Sequence, residues 1–318
     1  MNQLGKLLKI TSETNLADAK TKISFSQYSK WSKCPLSWKL SYIDKIKIPN
    51  PSAILIFGTS MHETIQHYLT VMFDESITNA NKINLLDVLT EQMFNNYASD
   101  LISNNNVHFS NKAELDEFLV DGNKILEYLT KHRQKYFTTK GYELIGIELP
   151  ICTLASTVNE NVYFLGYADL ILYDKDLDTI IIYDFKTSRQ GWKDKDKKDE
   201  VKRRQLIFYK SFISKMLGYD VKKIKIVYMI LKRKIYEESE YPIPRIQEFK
   251  PADGTVTLKK AQLDLDKFIS TCFKEDGSYN IDAKYPAISG DGNKNCQYCE
   301  FKTKYDLCPK EKRRSATI

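Results

Sequence analysis

Four of the six cysteines in this chain stand in two groups at its opposite ends. Cys34 lies near the start, and Cys296, Cys299 and Cys308 lie near the end. The C-x2-C spacing of Cys296 and Cys299 lets two thiolates bind one metal centre without strain. A site with one ligand from the start and three from the end would close the chain around everything between them. This pattern makes the middle of the chain the region in which to search for chemistry.

The composition is that of a globular protein with a basic balance of charge. Hydrophobic residues make up 42% of the 318 residues and charged residues 28%, and 20 Tyr against 12 Gly and 9 Pro argue against disorder. A mass of 37.0 kDa allows one elaborated domain or two small ones. The net charge of +7 favours a polyanionic partner. A Lys-rich surface that is merely solvated is the alternative.

No targeting or membrane-spanning segment is expected. Residues 1–10 lack the continuous apolar stretch of a signal peptide, and no apolar run approaches the roughly 20 residues that span a bilayer. We therefore expect a soluble protein of the cytoplasm, or of the host cytoplasm if a phage encodes it. In a reducing compartment, clustered cysteines bind metal more often than they form disulfides. The isolated Cys152 and Cys272 are expected to be buried as small apolar residues.

The first 140 residues are predicted to be mainly helical. Ser24 is suited to be the N-cap of a short helix that carries Cys34 and is bent or restarted at Pro35. Apolar residues recur at a spacing near 3.6 over residues 57–74, 83–103 and 112–137. This spacing predicts three amphipathic helices.

After Gly141 the pattern changes to that of strands. Tyr142–Leu154 and Val162–Tyr173 are rich in β-branched and aromatic residues, and the nearly all-apolar Thr179–Phe185 predicts a strand buried on both faces. The other predicted elements are a turn at 174–178, a helix at 201–217 that ends at Gly218, strands at Ile224–Leu231 and Ile235–Tyr241, and a helix at 256–275. Their order indicates an α/β fold, with a mixed sheet core and a helical N-terminal elaboration.

Two carboxylates and a lysine fall on neighbouring predicted strands. Asp184 and Lys186 lie at the end of one strand, where alternation puts them on one face and turns Phe185 to the other. Asp169, on the preceding strand, reaches the same patch if the two strands pair as a hairpin. Carboxylates bind Mg²⁺ or Mn²⁺, and a lysine offsets charge that develops on a phosphodiester under attack. Alone, this D-x14-D-x-K pattern also fits a chance or structural arrangement.

Two further motifs, Gly58-x3-His62 and Gln205-x3-Tyr209, occur in an order with this set that resembles the PD-(D/E)XK nuclease superfamily, in its RecB-like branch. The cysteines resemble those of the iron–sulfur members of that branch, the AddB-type nucleases and the CRISPR-associated exonucleases. In those proteins one Cys precedes the nuclease core and three follow it. The resemblance covers residues 24–309 and implies a restriction-endonuclease-like core with a Cys-rich C-terminal tail.

The resemblance implies a role for each matching residue. The metal ligands would be His62, Asp169, Asp184 and the backbone carbonyl of Phe185, with Mg²⁺ or Mn²⁺ as the metal. Lys186 would be the catalytic lysine. Gln205 and Tyr209, which share a helix face at i and i+4, would contact the active site or DNA. Glu148 is a candidate extra member of the site, and a surface or pairing role suits it equally well.

The four clustered cysteines suit either zinc or an iron–sulfur cluster. A structural zinc site usually takes two C-x2-C pairs, whereas this chain has one pair, so the resemblance favours a [4Fe–4S] cluster, with Zn²⁺ as the alternative. The gap of eight residues before Cys308 is longer than the family usually has. The implied role is structural. The cluster would fasten the N-terminal helix to the tail and so hold His62 over the sheet.

Basic residues concentrate in two segments. Residues 189–204 carry eight Lys or Arg together with Trp192, and such a loop can track a single strand of DNA by phosphate contacts and base stacking. Four acidic residues dilute this charge, and an ordinary solvated loop is the alternative. The second candidate surface consists of Lys222, Lys223, Lys225, Lys232, Arg233 and Lys234.

These observations predict one integrated domain in three regions. Residues 1–140 contribute Cys34 and His62, residues 141–250 form the nuclease core, and residues 251–318 form a helix and the Cys-rich tail. The expected function is that of a metal-dependent DNA exonuclease that acts on single-stranded ends, in recombination, repair or phage DNA metabolism.

Two alternatives remain open at the level of sequence. One is a structure-specific DNA endonuclease, and the other is a non-catalytic DNA-binding or assembly subunit with a structural iron–sulfur or zinc site. The intact set of Asp169, Asp184 and Lys186 argues against the second. The sequence has no G-x4-G-K-[ST] motif of a helicase, so any unwinding is expected from a separate helicase or recombination protein.

Overall fold

The computed structural model describes residues 1–315, in which helices come first and strands follow. The earlier elements are α1 (Gln3–Asp18), β1 (Thr21–Ile23), α2 (Phe25–Lys33), α3 (Pro35–Tyr42), α4 (Ala53–Asp74), α5 (Ile77–Ala80), α6 (Leu85–Ser103), α7 (Lys112–Lys131) and α8 (Arg133–Tyr136). The later elements are β2 (Tyr142–Leu154), β3 (Val162–Asp174), β4 (Thr179–Ser188), α9 (Asp194–Lys198), α10 (Glu200–Leu217), β5 (Ile224–Lys232), β6 (Ile246–Phe249) and α11 (Thr255–Cys272). Short 3-10 turns occupy Val221–Lys223, Asp291–Asn293 and Lys310–Lys312. None of the helices in this described range has the length and apolar character needed to cross a membrane.

Contacts divide the described chain into two compact units. Unit 1 comprises Met1–Lys9, Pro51–Leu149 and Tyr167–Asp253. Unit 2 comprises Ile10–Asn50, Pro150–Gly166 and the chain from Gly254 onward. The division into regions 1–140, 141–250 and 251–318 stays a prediction, and residues 316–318 of its last region lie outside the described residues.

In unit 1, β4 is an inner strand of a mixed sheet. β3 and β4 form an antiparallel hairpin in which Asp174 lies opposite Thr179. β4 runs parallel to β5, and β5 pairs antiparallel with β6. The parallel pair needs a crossover connection, which α10 supplies. The predicted α/β class with a mixed sheet and a helical N-terminal region is confirmed, and Thr179–Phe185 is buried as expected.

The core of unit 1 fixes α4 against the sheet. Phe57, Met61, Ile65 and Leu69 recur every four residues on one face of α4, and all four are fully buried in one apolar cluster with Phe185 of β4. Burial of each such side chain stabilises the fold by about 1.5–3 kcal/mol. The same core therefore determines which residues of α4 face the end of β4.

Unit 2 is organised around the fully buried indole of Trp38 in α3. Its ring centroid lies 5.6 Å from those of Phe268 and Tyr285 and 5.7 Å from that of Tyr279, at the spacing of favourable aromatic pairs. These contacts join α3 to α11 and to the segment that follows it. β1 pairs in parallel with the start of β3. Cys152 and Cys272 are buried, as predicted.

The predicted start of α2 is confirmed. The hydroxyl of Ser24 accepts a hydrogen bond from the backbone N–H of Gln27, which is the N-cap interaction. Cys34 separates α2 from α3, and Pro35 is the first residue of α3, so the helix restarts at the proline as expected.

One predicted strand is wrong, and α1 and the short helices α5 and α9 were not predicted. Ile235–Tyr241 forms turns and bends, because its polar run of Glu237 to Glu240 offers no alternating apolar face. The strand that pairs with β5 is β6 instead. α1 was missed because its apolar residues keep no regular spacing of 3.6.

Candidate active site

The structure brings Asp169, Asp184 and Lys186 together where β3 and β4 run side by side. Leu170 pairs with Tyr183 in the hairpin, so Asp169 and Asp184 lie opposite each other. The backbone N–H of Phe185 donates a hydrogen bond of 2.7 Å to Oδ2 of Asp169. The side chain of Phe185 turns into the apolar core, as strand alternation predicts.

Asp184 and Lys186 form an ion pair on the other face of β4. Nζ of Lys186 lies 2.7 Å from Oδ2 of Asp184, and the Asp184 side chain is only 1% exposed. Neither carboxylate oxygen of Asp184 accepts a hydrogen bond of acceptable geometry. Burial of a carboxylate is unfavourable even in an ion pair, so the fold keeps this group at a cost in stability.

His62 reaches the same place from α4. Its Nδ1 lies 3.6 Å from Oδ2 of Asp169, and its ring packs edge-on against Phe185 at 5.9 Å between centroids. Gly58, one turn earlier, explains how α4 comes so near, because a Cβ there would lie 3.2 Å from Oγ1 of Thr187 in β4. The Gly58-x3-His62 motif therefore contains both the glycine that lets α4 lie close to β4 and the histidine that reaches Asp169.

Burial dominates the electrostatics of this cluster. Burial, assisted by the charge of Lys186, lowers the pKa of His62 to about 4, so its imidazole is neutral near pH 7 and can act as a ligand. Burial raises the pKa of Asp169 and of Asp184 to about 6, against the opposing charge of Lys186. Burial alone would lower the pKa of Lys186, but Asp184 and Asp169 outweigh it, and the pKa is raised.

Gln205 and Tyr209 continue the cluster along α10. Nζ of Lys186 donates a hydrogen bond of 3.2 Å to Oε1 of Gln205, whose Nε2 donates in turn to the hydroxyl of Tyr209 at 3.4 Å. Tyr209 is 3% exposed, and burial raises the pKa of its hydroxyl. Of the two predicted roles, contact with the site is therefore the one that this geometry supports for Tyr209.

Gln66 belongs to the cluster and was not predicted from the sequence. It lies one turn after His62 on α4, and its Nε2 donates to Oε1 of Glu148 at 2.6 Å and to the carbonyl oxygen of Asp169 at 3.4 Å. Glu148, the candidate extra member, has a left-handed backbone with φ of 47° inside β2. That conformation is rare for a residue with a side chain and often marks a functional position. The i+4 spacing from His62 was the available signal for Gln66.

The donor set fits a hard divalent cation. It offers a neutral imidazole and two carboxylates. Both oxygens of one carboxylate, that of Asp184, are buried and accept no hydrogen bond of acceptable geometry. Within residues 1–315, no three His, Cys, Asp or Glu side chains are arranged to hold a metal ion as they stand. In their present positions the ammonium group of Lys186 is the cation that Asp184 contacts.

The four clustered cysteines line one small cavity in unit 2. The cavity measures about 20 Å³ and is bordered by Cys34, Cys296, Cys299 and Cys308, so residues from both ends of the chain meet there. Sγ of Cys34 accepts a hydrogen bond of 3.3 Å from the backbone N–H of Ile288. Burial raises the pKa of Cys34 and of Cys299. All six cysteines of the chain are free thiols in this structure.

The basic segments differ from their predicted form. Trp192 packs against Tyr228 and Phe249, with ring centroids 5.0 and 5.8 Å away, so it anchors its loop in unit 1. The second candidate surface is not one surface, because its members lie at the two ends of β5. At one end Lys223 pairs with Asp178, and at the other Lys234 pairs with Asp121.

Comparison with known proteins gives the class. A family model of the PD-(D/E)XK nuclease superfamily matches residues 22–308, and the chain belongs to this superfamily. Membership implies a metal-dependent nuclease, a hydrolase with DNA as substrate, and the superfamily typically uses Mg²⁺ or Mn²⁺.

Other comparisons add little. Eleven chains of solved structures match. One is described as "Crystal structure of SSO0001", with 14% identity over 98% of each chain and a TM-score of 0.36. No curated protein matches the sequence.

Proposed function

We propose that this protein is a metal-dependent DNA exonuclease of the RecB-like branch that acts on single-stranded ends. The observation that carries the proposal is the convergence of His62, Asp169, Asp184 and Lys186 at one end of the β3–β4 hairpin, in a chain of this superfamily. The order of the motifs along the chain supports the assignment to the RecB-like branch.

His62, Asp169, Asp184 and the carbonyl of Phe185 hold Mg²⁺ or Mn²⁺ in this proposal. When bound, such a cation would supply Lewis-acid chemistry at the scissile phosphate. The protein contributes the positions of the ligands. The hydrogen bond from Phe185 N–H orients Asp169, and the pKa of about 6 at both aspartates reflects a burial cost that a cation offsets.

Lys186 stabilises the charge that develops on the phosphate oxygens during attack. Its ammonium group is held in place by Asp184 and by Gln205, and Gln205 is held by Tyr209. A preorganised cation in a site shielded from water is worth more than one in bulk solvent. Glu148, which is oriented by Gln66, adds a third carboxylate to the edge of the same cluster.

The four-cysteine cavity is proposed to hold a [4Fe–4S] cluster with a structural role, and a single Zn²⁺ is the alternative. Four thiol groups around one cavity suit either. The N–H donor to Sγ of Cys34 is the kind of hydrogen bond that stabilises a metal-bound thiolate.

The remaining parts of the proposal follow from the activity. We also propose a cytoplasmic location and a separate helicase or recombination protein that exposes single strands. Recombination, repair or phage DNA metabolism would supply such ends.

The test is digestion of end-labelled single- and double-stranded DNA with Mg²⁺ or Mn²⁺, with a circular single strand as control. Stepwise loss of linear single strands, none of the circle, and no reaction in EDTA are expected. Cleavage of the circle would instead favour the structure-specific endonuclease. Binding without cleavage in either metal would favour the non-catalytic subunit.

A further inference from the structure

Unit 2 carries a basic groove beside the cysteine cavity. The groove measures about 650 Å³ and is lined by Gly292, Asn293, Cys296, Gln297, Lys302, Thr303, Tyr305, Lys310 and Arg313. Three of these described lining residues are cationic and none is acidic. The surrounding segment, residues 294–314, has seven Lys or Arg against three Asp or Glu. The positive charge is therefore concentrated around the groove and is not spread evenly along the chain.

The cations of the groove are held in place without neutralisation. Nζ of Lys310 stands 4.8 Å from the ring centroid of Tyr305, and the guanidinium carbon of Arg313 stands 5.6 Å from it, so the ring positions both charges. Arg313 also donates to the carbonyl oxygens of Lys302 and Cys308, each at 2.8 Å. Among the described residues no carboxylate pairs with Lys302, Lys310 or Arg313, and Nε of Arg313 has no hydrogen-bond partner.

An exposed aromatic ring adjoins the groove. Tyr298 is 82% exposed, and its hydroxyl accepts a hydrogen bond of 3.0 Å from Nε2 of the lining residue Gln297. Fixed cations beside an exposed ring are the combination that binds single-stranded nucleic acid, through phosphate contacts and base stacking. An acidic peptide would use the cations but not the ring.

We propose that this groove is a binding site for single-stranded DNA, in which Lys302, Lys310 and Arg313 contact phosphates and Tyr298 stacks on a base. The inference rests on the proposed function, because that function supplies DNA as the ligand. None of the groove residues belongs to the candidate catalytic set, so the groove is a separate DNA-binding site within unit 2.

The test measures binding in EDTA, where cleavage cannot interfere. The probe is a fluorescent single strand of about 15 thymidines, near the upper site size of a single-strand groove. Lys302→Glu with Lys310→Glu should weaken binding about tenfold or more, and the slope of log affinity against log salt should become shallower by about 1.4 for two lost contacts. Tyr298→Ala should weaken binding about fivefold without changing that slope.

Two controls make the result specific. Lys259→Glu with Lys267→Glu changes the same net charge at exposed positions of α11 and should bind like wild type. Lys302→Arg with Lys310→Arg should also retain binding. That result would show that the loss in the glutamate pair comes from the change in charge and not from misfolding. Equal loss of affinity in the α11 pair and the groove pair would overturn the proposal, and so would displacement of the probe by polyglutamate but not by unlabelled single strands. A wild type that binds through the groove but never cuts would refute the nuclease and leave the groove standing.

Discussion

Asp184 keeps an almost fully buried carboxylate inside unit 1, where its contact is the ammonium group of Lys186 at 2.7 Å. Such a group is retained for chemistry and not for stability. We expect Asp184→Asn and Lys186→Gln to lower cleavage about 10²–10³-fold or more, because each removes charge from the phosphoryl-transfer site. The rate of release of labelled nucleotide from single-stranded DNA measures this.

The matched control is Asp176→Asn, an exposed aspartate in the β3–β4 turn, which should cleave like wild type. Thermal unfolding should show one cooperative transition for Asp184→Asn, with a midpoint at or below that of wild type, since the substitution removes the ion-pair partner of Lys186. Near-normal cleavage by either site variant would remove that residue from the proposed catalytic set.

Gln66 is expected to act as a positioning residue, since it donates hydrogen bonds to Glu148 and to the backbone of Asp169. Gln66→Leu keeps the volume but loses both hydrogen bonds. The Mn²⁺ concentration for half-maximal cleavage should rise about 10–100-fold, the usual cost of losing an outer-shell partner of a metal site. His67→Leu, at the exposed next position, is the control and should change nothing. An unchanged metal requirement in Gln66→Leu would show that the contact is only structural.

At the scale of elements, Gly58 sets the distance between α4 and β4. Gly58→Val would place a branched side chain against Thr187, where even a Cβ is tight at 3.2 Å. We expect a loss of about 1–3 kcal/mol in the free energy of unfolding, as for other overpacked sites, together with a fall in activity because His62 moves with α4. Chemical denaturation and the cleavage assay measure the two effects.

Thr59→Val is the control for that change, because Thr59 is exposed one position along the same helix. The intrinsic helix propensity of valine is the same at both positions, so only the contact with β4 differs. If Gly58→Val were as stable and as active as Thr59→Val, the close approach would not matter.

Sequence periodicity predicted the elements that have one apolar face or two. Burial imposes a period of 3.6 on the apolar residues of helices and of 2 on those of strands, which is why α4, α7, β3 and β4 were predicted. The same strand alternation correctly placed Asp184 and Lys186 on one face. Polar contacts that depend on tertiary structure left no such mark. Gln66 sits in an ordinary helix sequence, and nothing in the sequence around Glu148 indicates its left-handed backbone. Trp192 was only a candidate base-stacking residue at the level of sequence, and an aromatic side chain among lysines does not reveal its packing against Tyr228.

At the scale of the whole molecule, the cysteine cavity joins residues that are distant in sequence. Protein purified without oxygen should be brown and contain about four irons per chain, the content of a [4Fe–4S] cluster. Cys34→Ser should lose the iron and unfold at a lower temperature, because loss of a structural metal site removes folding energy. Iron analysis and thermal unfolding of the two proteins provide the comparison.

Cys152→Ala is the control, since Cys152 is buried away from the cavity lining and should leave the iron content unchanged. Colourless protein with one zinc per chain would replace the cluster by the zinc alternative. Folded protein without any metal would contradict both.

Because the chain is synthesised from its N-terminus, all residues of unit 1 are present before unit 2 is complete. The last residue of unit 1 is Asp253, whereas the cavity of unit 2 needs Cys296, Cys299 and Cys308 as well as Cys34. Every residue of the candidate catalytic set has therefore been synthesised before the second of the four cavity thiols. Of the four cavity cysteines, only Cys34 is present in the nascent chain until Cys296 is added more than 250 residues later. During synthesis, the catalytic residues are thus complete in a nascent chain whose cysteine cavity cannot yet exist.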